Sequence, residues 1–386
     1  MKKFSKKFKC IICFFISLIV FMCFILLFNI NKEERDLKGK ITVWADEGSY
    51  EYLNTIAQEF MISNNKCQIN VLKINKDEYM SKVKDAISSG NLPNVLKLDN
   101  ESINEIIEES EGRISLRDNK DFIDNYSNNF TQRMIQEVTI DNNVIGIPFT
   151  NNPVVLYLRE DLLAKYGYTY ENINTWEELI NMGKDVYSKS EGKIKILNGT
   201  GRDYEYLVSL LIMQAMEETT NEKTIGDKVK ENVERLKNEN ILNLDPNGSF
   251  LARISSVEGM QEIRKINVEC AWTANYAPSK SFGSNRFYTV EGQNLLILNK
   301  DSNNENVLVE KYIGAVTNST KSVQNYINDD NLFLSYLSAY KSKDIERQVT
   351  HFINKSPLVI MSNIMQKAPG LKDYNIYLSE KDEFLN

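Results

Sequence analysis

Histidine is almost absent from this chain, since His351 is the only one among 386 residues. Zinc sites draw mainly on His and Cys ligands, and Ser-His-Asp or Cys-His catalysis needs a histidine beside the nucleophile. The sequence also contains no GxSxG, HExxH or GxxxxGK pattern. We therefore expect a protein that is not an enzyme and that has no metal site and no cofactor.

Cysteine is scarce as well. Cys10, Cys13 and Cys23 fall in one apolar run, which leaves Cys67 and Cys270 far apart in the sequence and without metal-ligand spacing. These two could form a disulfide outside the cell, but we favour two buried thiols because sequence cannot show that they are close. The fold must then rest on its apolar residues, and a chain of 386 residues is long enough for two lobes or domains.

Clustered positive charge is confined to the first nine residues. The lysines at positions 2, 3, 6, 7 and 9 contribute +5 to the formal net charge of −7, so the rest of the chain carries −12. An acidic body repels phosphate backbones, which proteins bind through clustered Lys and Arg. We therefore expect no nucleic-acid partner, and we interpret the acidic charge as a contribution to solubility.

A long apolar run does occur, at residues 10–30, and only Ser17 and Asn29 interrupt it. About 20 helical residues at about 1.5 Å each span the roughly 30 Å hydrocarbon layer, whereas the apolar core of a cleaved signal has about 7 to 15 residues. The lysines before the run favour a cytoplasmic N-terminus. We predict a cytoplasmic basic tail (1–9), a transmembrane signal anchor (10–30) and a spacer (31–39). The chain would then cross the cell membrane once, with its body on the extracytoplasmic side.

Cleavage or lipidation of this segment is the alternative. No small-x-small pattern follows the run, because residues 28–31 are Phe, Asn, Ile and Asn. A lipoprotein signal would place a small residue before the modified cysteine, but Met22 precedes Cys23. We favour an uncleaved anchor, and lipidation at Cys23 stays the minority alternative.

The body begins as an alternation of strands and helices. Apolar periodicity predicts three strands separated by two amphipathic helices, in the order 41–44, 49–60, 68–74, 76–88 and 95–98. Such alternation predicts a parallel sheet in which the segments after the strand ends form a ligand crevice. Residues 45–48 and 99–102 are therefore expected to be polar loops that lie near each other at that edge.

Two further apolar runs, 144–149 and 154–158, surround the polar segment Thr150-Asn151-Asn152-Pro153. Farther on, Thr175 and Glu178 have the spacing of a capping box that opens a helix. Helices are predicted through much of 203–265 and about 304–348, with a strand-like patch centred on Trp272. No internal repeat, low-complexity tract or Pro- or Gly-rich linker divides the body.

Four motifs resemble, in the same order, those of the extracytoplasmic solute-binding proteins of ABC importers, of the maltose-binding (extracellular solute-binding family 1) type. They are ITVWADE, SSGNLPNVLKLDNE, GIPFTNNPVVLYLREDLL and TWEELI, and together they cover most of residues 40–190. The resemblance implies an α/β, two-lobed, periplasmic-binding-protein-like type II fold with a ligand cleft between the lobes. It places residues 40–147 and about 288–330 in lobe 1, and residues 148–287 and about 331–386 in lobe 2.

The resemblance also implies a set of ligand-binding residues at the cleft. They share hydrogen-bonding or aromatic side chains that could hold a hydroxyl-rich solute, and they are Trp44, Asp46, Glu47, Asp99, Glu101, Asn151, Asn152, Tyr204, Tyr206, Trp272 and Tyr276. Each aromatic could instead pack in the core, and Asn151 and Asn152 could simply form a turn before Pro153. The neighbouring acids Asp46 and Glu47 could suggest glycoside hydrolysis, but hydrogen bonding to sugar hydroxyls explains them equally well.

The function that the resemblance implies is that of the substrate-binding component of an ABC importer. Its partners would be a small solute, expected to be a carbohydrate, the permease subunits, and the cell membrane through the N-terminal helix. The alternative is a membrane-anchored surface or sensory protein that keeps the fold without a transport ligand. The sequence does not identify the solute.

Overall fold

The computed structural model describes residues 37–319 and 333–385. The strands are β1 (Gly39–Asp46), β2 (Cys67–Ile74), β3 (Val95–Asp99), β4 (Thr139–Ile140), β5 (Asn143–Val144), β6 (Gly146–Pro148), β7 (Asn152–Pro153), β8 (Val155–Arg159), β9 (Leu197–Asn198), β10 (Leu242–Asn243), β11 (Ala252–Ser255), β12 (Trp272–Tyr276), β13 (Thr289–Val290) and β14 (Gln293–Ile297).

The α-helices are α1 (Glu47–Ser63), α2 (Lys76–Ser89), α3 (Asn100–Ser110), α4 (Lys120–Asn125), α5 (Gln132–Glu137), α6 (Glu160–Leu163), α7 (Trp176–Lys189), α8 (Arg202–Met216), α9 (Glu222–Asn238), α10 (Val257–Arg264), α11 (Asn303–Thr317), α12 (Pro357–Lys367) and α13 (Tyr374–Leu385). Short 3-10 helices lie at Ser127–Asn129, Ala164–Tyr166, Tyr170–Asn172, Leu337–Lys341 and Lys343–Glu346.

The first sheet has the strand order β2-β1-β3-β14-β6. The pairs β1–β2 and β1–β3 are parallel, as the alternation of strands and helices predicts. The predicted parallel arrangement of these three strands is therefore confirmed, but the sheet as a whole is mixed, because β14 runs antiparallel to both β3 and β6. The reason is topological: β14 enters this sheet from the other half of the chain, so no right-handed crossover helix fixes its direction.

The second sheet has the order β10-β9-β11-β8-β12. Strand β8 is antiparallel to β11 and β12, while β9 is parallel to β10 and β11. The carboxyl ends of β9, β10, β11 and β12 therefore lie at the same edge as the start of β8. This edge lies next to β7, because the chain passes from β7 directly into β8.

Three segments connect the two sheets. The chain passes from β6 to β8 through β7, and it returns through β13, which pairs with β7. The third segment contains Phe333 and Leu334 and runs beside the other two. Thr150 forms a β-bridge with Leu334, and the backbone amide of Asn151 donates to the Phe333 carbonyl at 2.9 Å. Gly292 allows this close packing, since a Cβ atom there would stand 1.9 Å from the Thr150 carbonyl oxygen.

Successive residues of the strands enter different hydrophobic clusters, as a period of two requires. In β8, Val155 and Tyr157 join a core that also contains one face of the first sheet, whereas Leu156 and Leu158 join a second core under α7, α8 and α9. A third core, under α2 and α3, covers the other face of the first sheet. Each sheet is thus covered on both faces, which is the arrangement expected of an α/β fold.

Some local predictions are confirmed and one is wrong. Thr175 and Glu178 form the predicted capping box at the start of α7. Residues 45–48 and 99–102, however, are not loops, because α1 follows β1 directly and α3 follows β3 directly. Asp46 and Asp99 make these abrupt transitions feasible, since each side chain caps the helix that follows it.

The described residues test the prediction of two unpaired cysteines in the body but not the prediction of a transmembrane anchor. Cys67 and Cys270 are both buried and free, as we favoured. The predicted anchor at residues 10–30, together with the tail before it and the spacer as far as residue 36, lies outside the described residues. Within residues 37–319 and 333–385, no helix has the length and apolar character needed to cross a membrane.

Candidate ligand-binding cleft

In both sheets, the carboxyl ends of all strands except β8 and β14 lie at the edge nearest the connecting segments. In the first sheet, β1, β2, β3 and β6 end there, and in the second sheet β9, β10, β11 and β12 do so. A cleft between these two edges would present the residues at strand ends and helix starts to a ligand. Most of the residues predicted from sequence fall at these positions.

Asp46, at the end of β1, is already committed to two structural contacts. Its Oδ1 accepts from the Ser49 amide at 3.0 Å, and its Oδ2 lies 2.7 Å from the Lys97 ammonium nitrogen. Burial raises the pKa of the Asp46 carboxyl. The charge of Lys97, together with the hydrogen bonds from Lys97 and Ser49, lowers it by more, so the pKa lies below the ordinary value of 3.8. Asp46 is therefore charged at neutral pH, and a ligand would find it held in place.

The other predicted acids at this edge differ in whether their carboxylates already accept hydrogen bonds from the protein. Glu47 accepts at 3.1 Å from the Lys76 amide, at the start of α2. Asp99 caps α3 by accepting from the Ser102 amide at 2.9 Å. Glu101 is exposed in the first turn of α3, so its carboxylate is the freest of the predicted acids to meet a ligand.

Trp44 lies on the face of the first sheet that α2 and α3 cover. Its ring is partly buried and meets Tyr79 edge-on, with 6.5 Å between ring centroids. The Tyr79 hydroxyl also donates to the Trp44 carbonyl at 2.9 Å. Trp44 thus has a packing role, and its predicted ligand contact stays a prediction.

Asn151 and Asn152 occupy the connecting segment, and both are engaged by protein groups. The Asn152 amide nitrogen donates to the Glu291 carbonyl at 2.6 Å. Asn151 is completely buried, and its amide nitrogen lies 3.5 Å from Oε1 of Glu137. The Oδ1 atom of Asn151 has no hydrogen-bond donor among the described residues. This oxygen therefore has unused hydrogen-bonding capacity, and the ligand contacts predicted for Asn151 and Asn152 both stay predictions.

Tyr204 and Tyr206 lie in the first turns of α8, at the edge of the second sheet. Tyr204 is partly buried against the second core. Tyr206 is 2% exposed, and its hydroxyl donates to Oε2 of Glu258 at 2.9 Å. The other Glu258 oxygen lies 3.4 Å from a guanidinium nitrogen of Arg202, whose side chain is 57% exposed. The Tyr206 hydroxyl therefore holds the carboxylate of Glu258, which pairs with the more exposed Arg202. This ion pair was not predicted from the sequence.

The start of α8 is held rigidly beside this pair. Arg253 binds both carboxylate oxygens of Asp203 at 2.8 Å, and Asn198 donates to the same carboxylate at 2.7 Å. Two parallel hydrogen bonds between a guanidinium and a carboxylate fix geometry as well as charge. The helix start that carries Arg202 and Tyr206 is thus anchored to the end of β9 and to Arg253, near the start of β11.

Trp272 and Tyr276 are at opposite ends of β12. Trp272 pairs with Arg159, at the end of β8 away from the connecting segments, and it is 4% exposed in the first core. Tyr276 pairs with Val155, next to the connecting segments, and it is partly exposed. Position and burial favour Tyr276 over Trp272 as a cleft aromatic, and the ligand-binding role of each stays a prediction.

Tyr276 also has neighbours that the sequence did not single out. Its hydroxyl accepts from the Asn363 amide nitrogen at 3.2 Å, and its ring centroid is 5.0 Å from that of Phe287. The guanidinium carbon of Arg286 lies 5.7 Å from the Tyr276 ring centroid. None of these three neighbours was predicted from the sequence as a site residue.

These features agree with comparisons to known proteins. The model of the bacterial extracellular solute-binding protein family matches residues 55–352, and the chain belongs to that family. A lactose-binding protein of Rhizobium radiobacter is 22% identical over 168 residues, which make up 42% of this chain and 39% of that protein. The chain thus spans about two fifths of the length of this relative.

Solved structures are similar over nearly the whole chain. The sugar-binding protein MalE of Xanthomonas citri has a TM-score of 0.72 at 14% identity, with 90% of each chain covered. The cyclic alpha-maltosyl-1,6-maltose binding protein of Arthrobacter globiformis has a TM-score of 0.70 at 14% identity, with 89% of this chain and 91% of that chain covered. The predictions of a maltose-binding-protein-like substrate-binding protein and of an α/β, two-lobed fold are therefore confirmed.

Proposed function

We propose that this protein is the extracytoplasmic substrate-binding component of an ABC importer, and that it binds a sugar or oligosaccharide between its lobes and delivers it to a membrane permease. The observation that carries the proposal is the convergence of the strand ends of both sheets on the connecting segments. Those ends carry carboxylates, amides and a tyrosine. Such a site would be preformed on each side and completed when the lobes close on the solute.

The chemistry of these side chains suits a hydroxyl-rich ligand. Carboxylates and amide oxygens accept hydrogen bonds from sugar hydroxyls, while Arg202 can donate to them. The Tyr276 ring offers a flat apolar face for the C–H surface of a sugar. The names of similar proteins support the same ligand class, because they describe binders of lactose, of maltose-type sugars and, for the GacH receptor of Streptomyces glaucescens, of acarbose.

We also propose that the lobes divide as predicted from the sequence. Lobe 1 would comprise residues 40–147 and about 288–330, which include all of the first sheet except Gly39 and Pro148, and lobe 2 would comprise residues 148–287 and about 331–386. The apolar segment 10–30 would hold the body at the outer face of the cell membrane, close to the permease. Family membership supports the extracytoplasmic location of the body.

A melting-temperature screen of the full chain in mild detergent tests the proposal. The panel would contain monosaccharides, malto- and galacto-oligosaccharides, polyols and short peptides. A ligand at a hundredfold its dissociation constant stabilises a protein by about 2.7 kcal/mol, which is readily measured. We expect at least one saccharide to raise the melting temperature. A response to peptides alone would overturn the sugar assignment, and a response to nothing would favour a surface protein that has lost its ligand.

A further inference from the structure

Helix α13 and the segment before it contact helices of the first sheet directly. Helix α13 packs on α8 and α9, and Tyr377 is completely buried in the second core. Helices α3 and α5 pack instead on β3, β14 and β6 of the first sheet. Contacts between these two groups of helices therefore join the proposed lobes without passing through the connecting segments.

The first of these contacts holds the backbone of Leu371, just before α13. The side-chain nitrogen of Gln136, on α5, donates to the Leu371 carbonyl at 2.8 Å. The Leu371 amide donates back to Oε1 of Gln136 at 2.9 Å. Two hydrogen bonds in opposite directions use both polar atoms of one side-chain amide, so they fix the position and the orientation of this segment against α5.

The second contact is made by Tyr374, at the start of α13. Its hydroxyl accepts from the side-chain nitrogen of Asn100 at 2.7 Å, and Oδ1 of Asn100 accepts from Asn294 at 3.0 Å. Asn100 is 6% exposed and Asn294 is completely buried. Since Asn100 begins α3 and Asn294 belongs to β14, these two bonds tie the start of α13 to the edge of the first sheet.

The third contact is between Arg133, on α5, and two rings of α13. Its guanidinium carbon lies 4.7 Å from the ring centroid of Tyr374 and 5.2 Å from that of Tyr377. A cation over an aromatic face is attracted to it, and more strongly where water is excluded. Arg133 is 1% exposed, so this attraction also draws α5 and α13 together.

The connecting segments provide a point about which α13 can turn. Glu291, between β13 and β14, accepts from the Tyr377 hydroxyl at 3.2 Å and from Lys381 at 3.3 Å. When two lobes separate by hinge bending, contacts to the connecting segments persist, whereas contacts between the bodies of the lobes break. Leu371 and Tyr374 precede the turn that Glu291 holds, so their contacts to lobe 1 are the ones that opening would break.

We propose that these contacts form an interlobe latch, which holds the two lobes together before a solute binds. The latch consists of Asn100, Arg133 and Gln136 in lobe 1, and Leu371, Tyr374 and Tyr377 in lobe 2. None of these residues is among the ligand-binding residues predicted from the sequence. A solute that binds the closed form binds more tightly when more of the protein is already closed, so the latch raises affinity and slows release. The proposal rests on the proposed function, because it requires two lobes that move.

Hydrogen–deuterium exchange of the ligand-free full chain in mild detergent tests the latch, with the Leu371 amide as the reporter. Tyr374→Phe removes only the hydroxyl, and Asn100→Ala removes its partner in the other lobe. Neither variant changes the bonds between Gln136 and Leu371. If the contacts open together, each variant should raise the exchange rate of the Leu371 amide about fivefold, as expected for the loss of one hydrogen bond.

Two controls separate opening of the latch from general loss of stability. Tyr187→Phe, in α7, is the matched substitution and should leave the Leu371 exchange rate unchanged. The amide of Leu211, in the buried middle of α8, reports global unfolding and should keep the parent's rate in every variant. An unchanged Leu371 exchange rate in either folded latch variant would overturn the proposal.

Stopped-flow dissociation of the strongest saccharide from the screen measures the effect of the latch on the solute. Tyr374→Phe should release it about fivefold faster than the parent does. An unchanged release rate would contradict a role of the latch in holding the solute. The exchange experiment needs no solute, so the two proposals fail separately. Faster Leu371 exchange without any saccharide response contradicts only the sugar proposal, and a saccharide response with unchanged exchange contradicts only the latch.

Discussion

The ammonium nitrogen of Lys97 lies 2.7 Å from Oδ2 of Asp46, and the Lys97 side chain is 7% exposed. This ion pair joins β3 to the end of β1, at the edge where the cleft is proposed. Burial lowers the pKa of Lys97, while Asp46 opposes that effect. A buried lysine of this kind depends on its partner, because an unpaired charge in a protein interior is strongly unfavourable.

Asp46→Ala is therefore expected to destabilise the fold as well as any ligand complex. Removing one partner of a buried ion pair typically costs about 3 to 5 kcal/mol, and the variant also loses the cap of α1. Urea unfolding of the full chain measures the change. The control is Glu78→Ala, which breaks the exposed pair with Lys82 and should leave the stability nearly unchanged. Equal stabilities for the two variants would contradict the structural role of Asp46.

Glu137 should make the stability depend on pH. Burial is the main reason that its pKa is raised to about 7, and Glu291 raises it further while Arg133 and Lys381 oppose the change. The folded state then binds more protons than the unfolded state between about pH 4.5 and pH 7, so the free energy of unfolding falls as the pH rises through that window. The loss from this group is up to about 3 kcal/mol.

Glu137→Gln removes the titrating group, so the fall in stability between about pH 4.5 and pH 7 should be smaller in the variant than in the parent. Urea unfolding of both proteins at several pH values measures the difference. The Tyr374 and Tyr377 hydroxyls also face this cluster, but burial raises the pKa of each well above 10, so they do not titrate in this window. Parallel pH profiles for parent and variant would show that Glu137 is already ionised in the folded state.

The capping box at the start of α7 gives a simpler prediction. The Thr175 hydroxyl accepts from the Glu178 amide at 3.2 Å, and Glu178 accepts from the Thr175 amide at 2.9 Å. Thr175→Ala should lower the free energy of unfolding by about 1 kcal/mol. Thr175→Ser keeps the hydroxyl and is the matched control. If both substitutions have the same effect, the hydroxyl is not what stabilises the helix start.

Trp272→Ala should reduce stability by about 3 to 5 kcal/mol, because the side chain is 4% exposed in the first core. Any sugar affinity measured well below the melting temperature should be retained. Melting and calorimetric titration of the same sample separate the two effects. Lost affinity at an unchanged melting temperature would place Trp272 in the cleft instead of the core.

Local patterns in the sequence were sufficient to predict the first three strands and the two helices between them. The strands β1, β2 and β3 and the helices between them follow from apolar periodicity, which depends on neighbouring residues only. The direct passage from β1 to α1 was missed, although Asp46 and Ser49 have the spacing of a helix cap. The same Asp-x-x-Ser pattern recurs at Asp99 and Ser102, so the two caps were available as a signal.

The site was harder to predict because its contacts join residues that are far apart in the chain. The Tyr206–Glu258 bond connects positions 52 residues apart, and no periodicity reports such a pairing. Likewise, Trp272 and Tyr276 lie on one short strand, and only the pairing of β12 with β8 distinguishes the end at the core from the end at the cleft. Arg133 gave no signal in the sequence, since its burial depends on α13.

The calorimetric affinity of the strongest saccharide from the screen, measured for the parent and for Tyr276→Ala, tests the central claim most directly. Tyr276 lies at the end of β12 next to the connecting segments and is partly exposed, so truncating it should remove the proposed ligand contact. We expect the dissociation constant, measured well below the melting temperature of the variant, to rise by about tenfold or more. Tyr187→Ala, in α7, is the matched control and should bind as the parent does. An unchanged affinity for Tyr276→Ala would contradict a sugar site at this edge of the cleft.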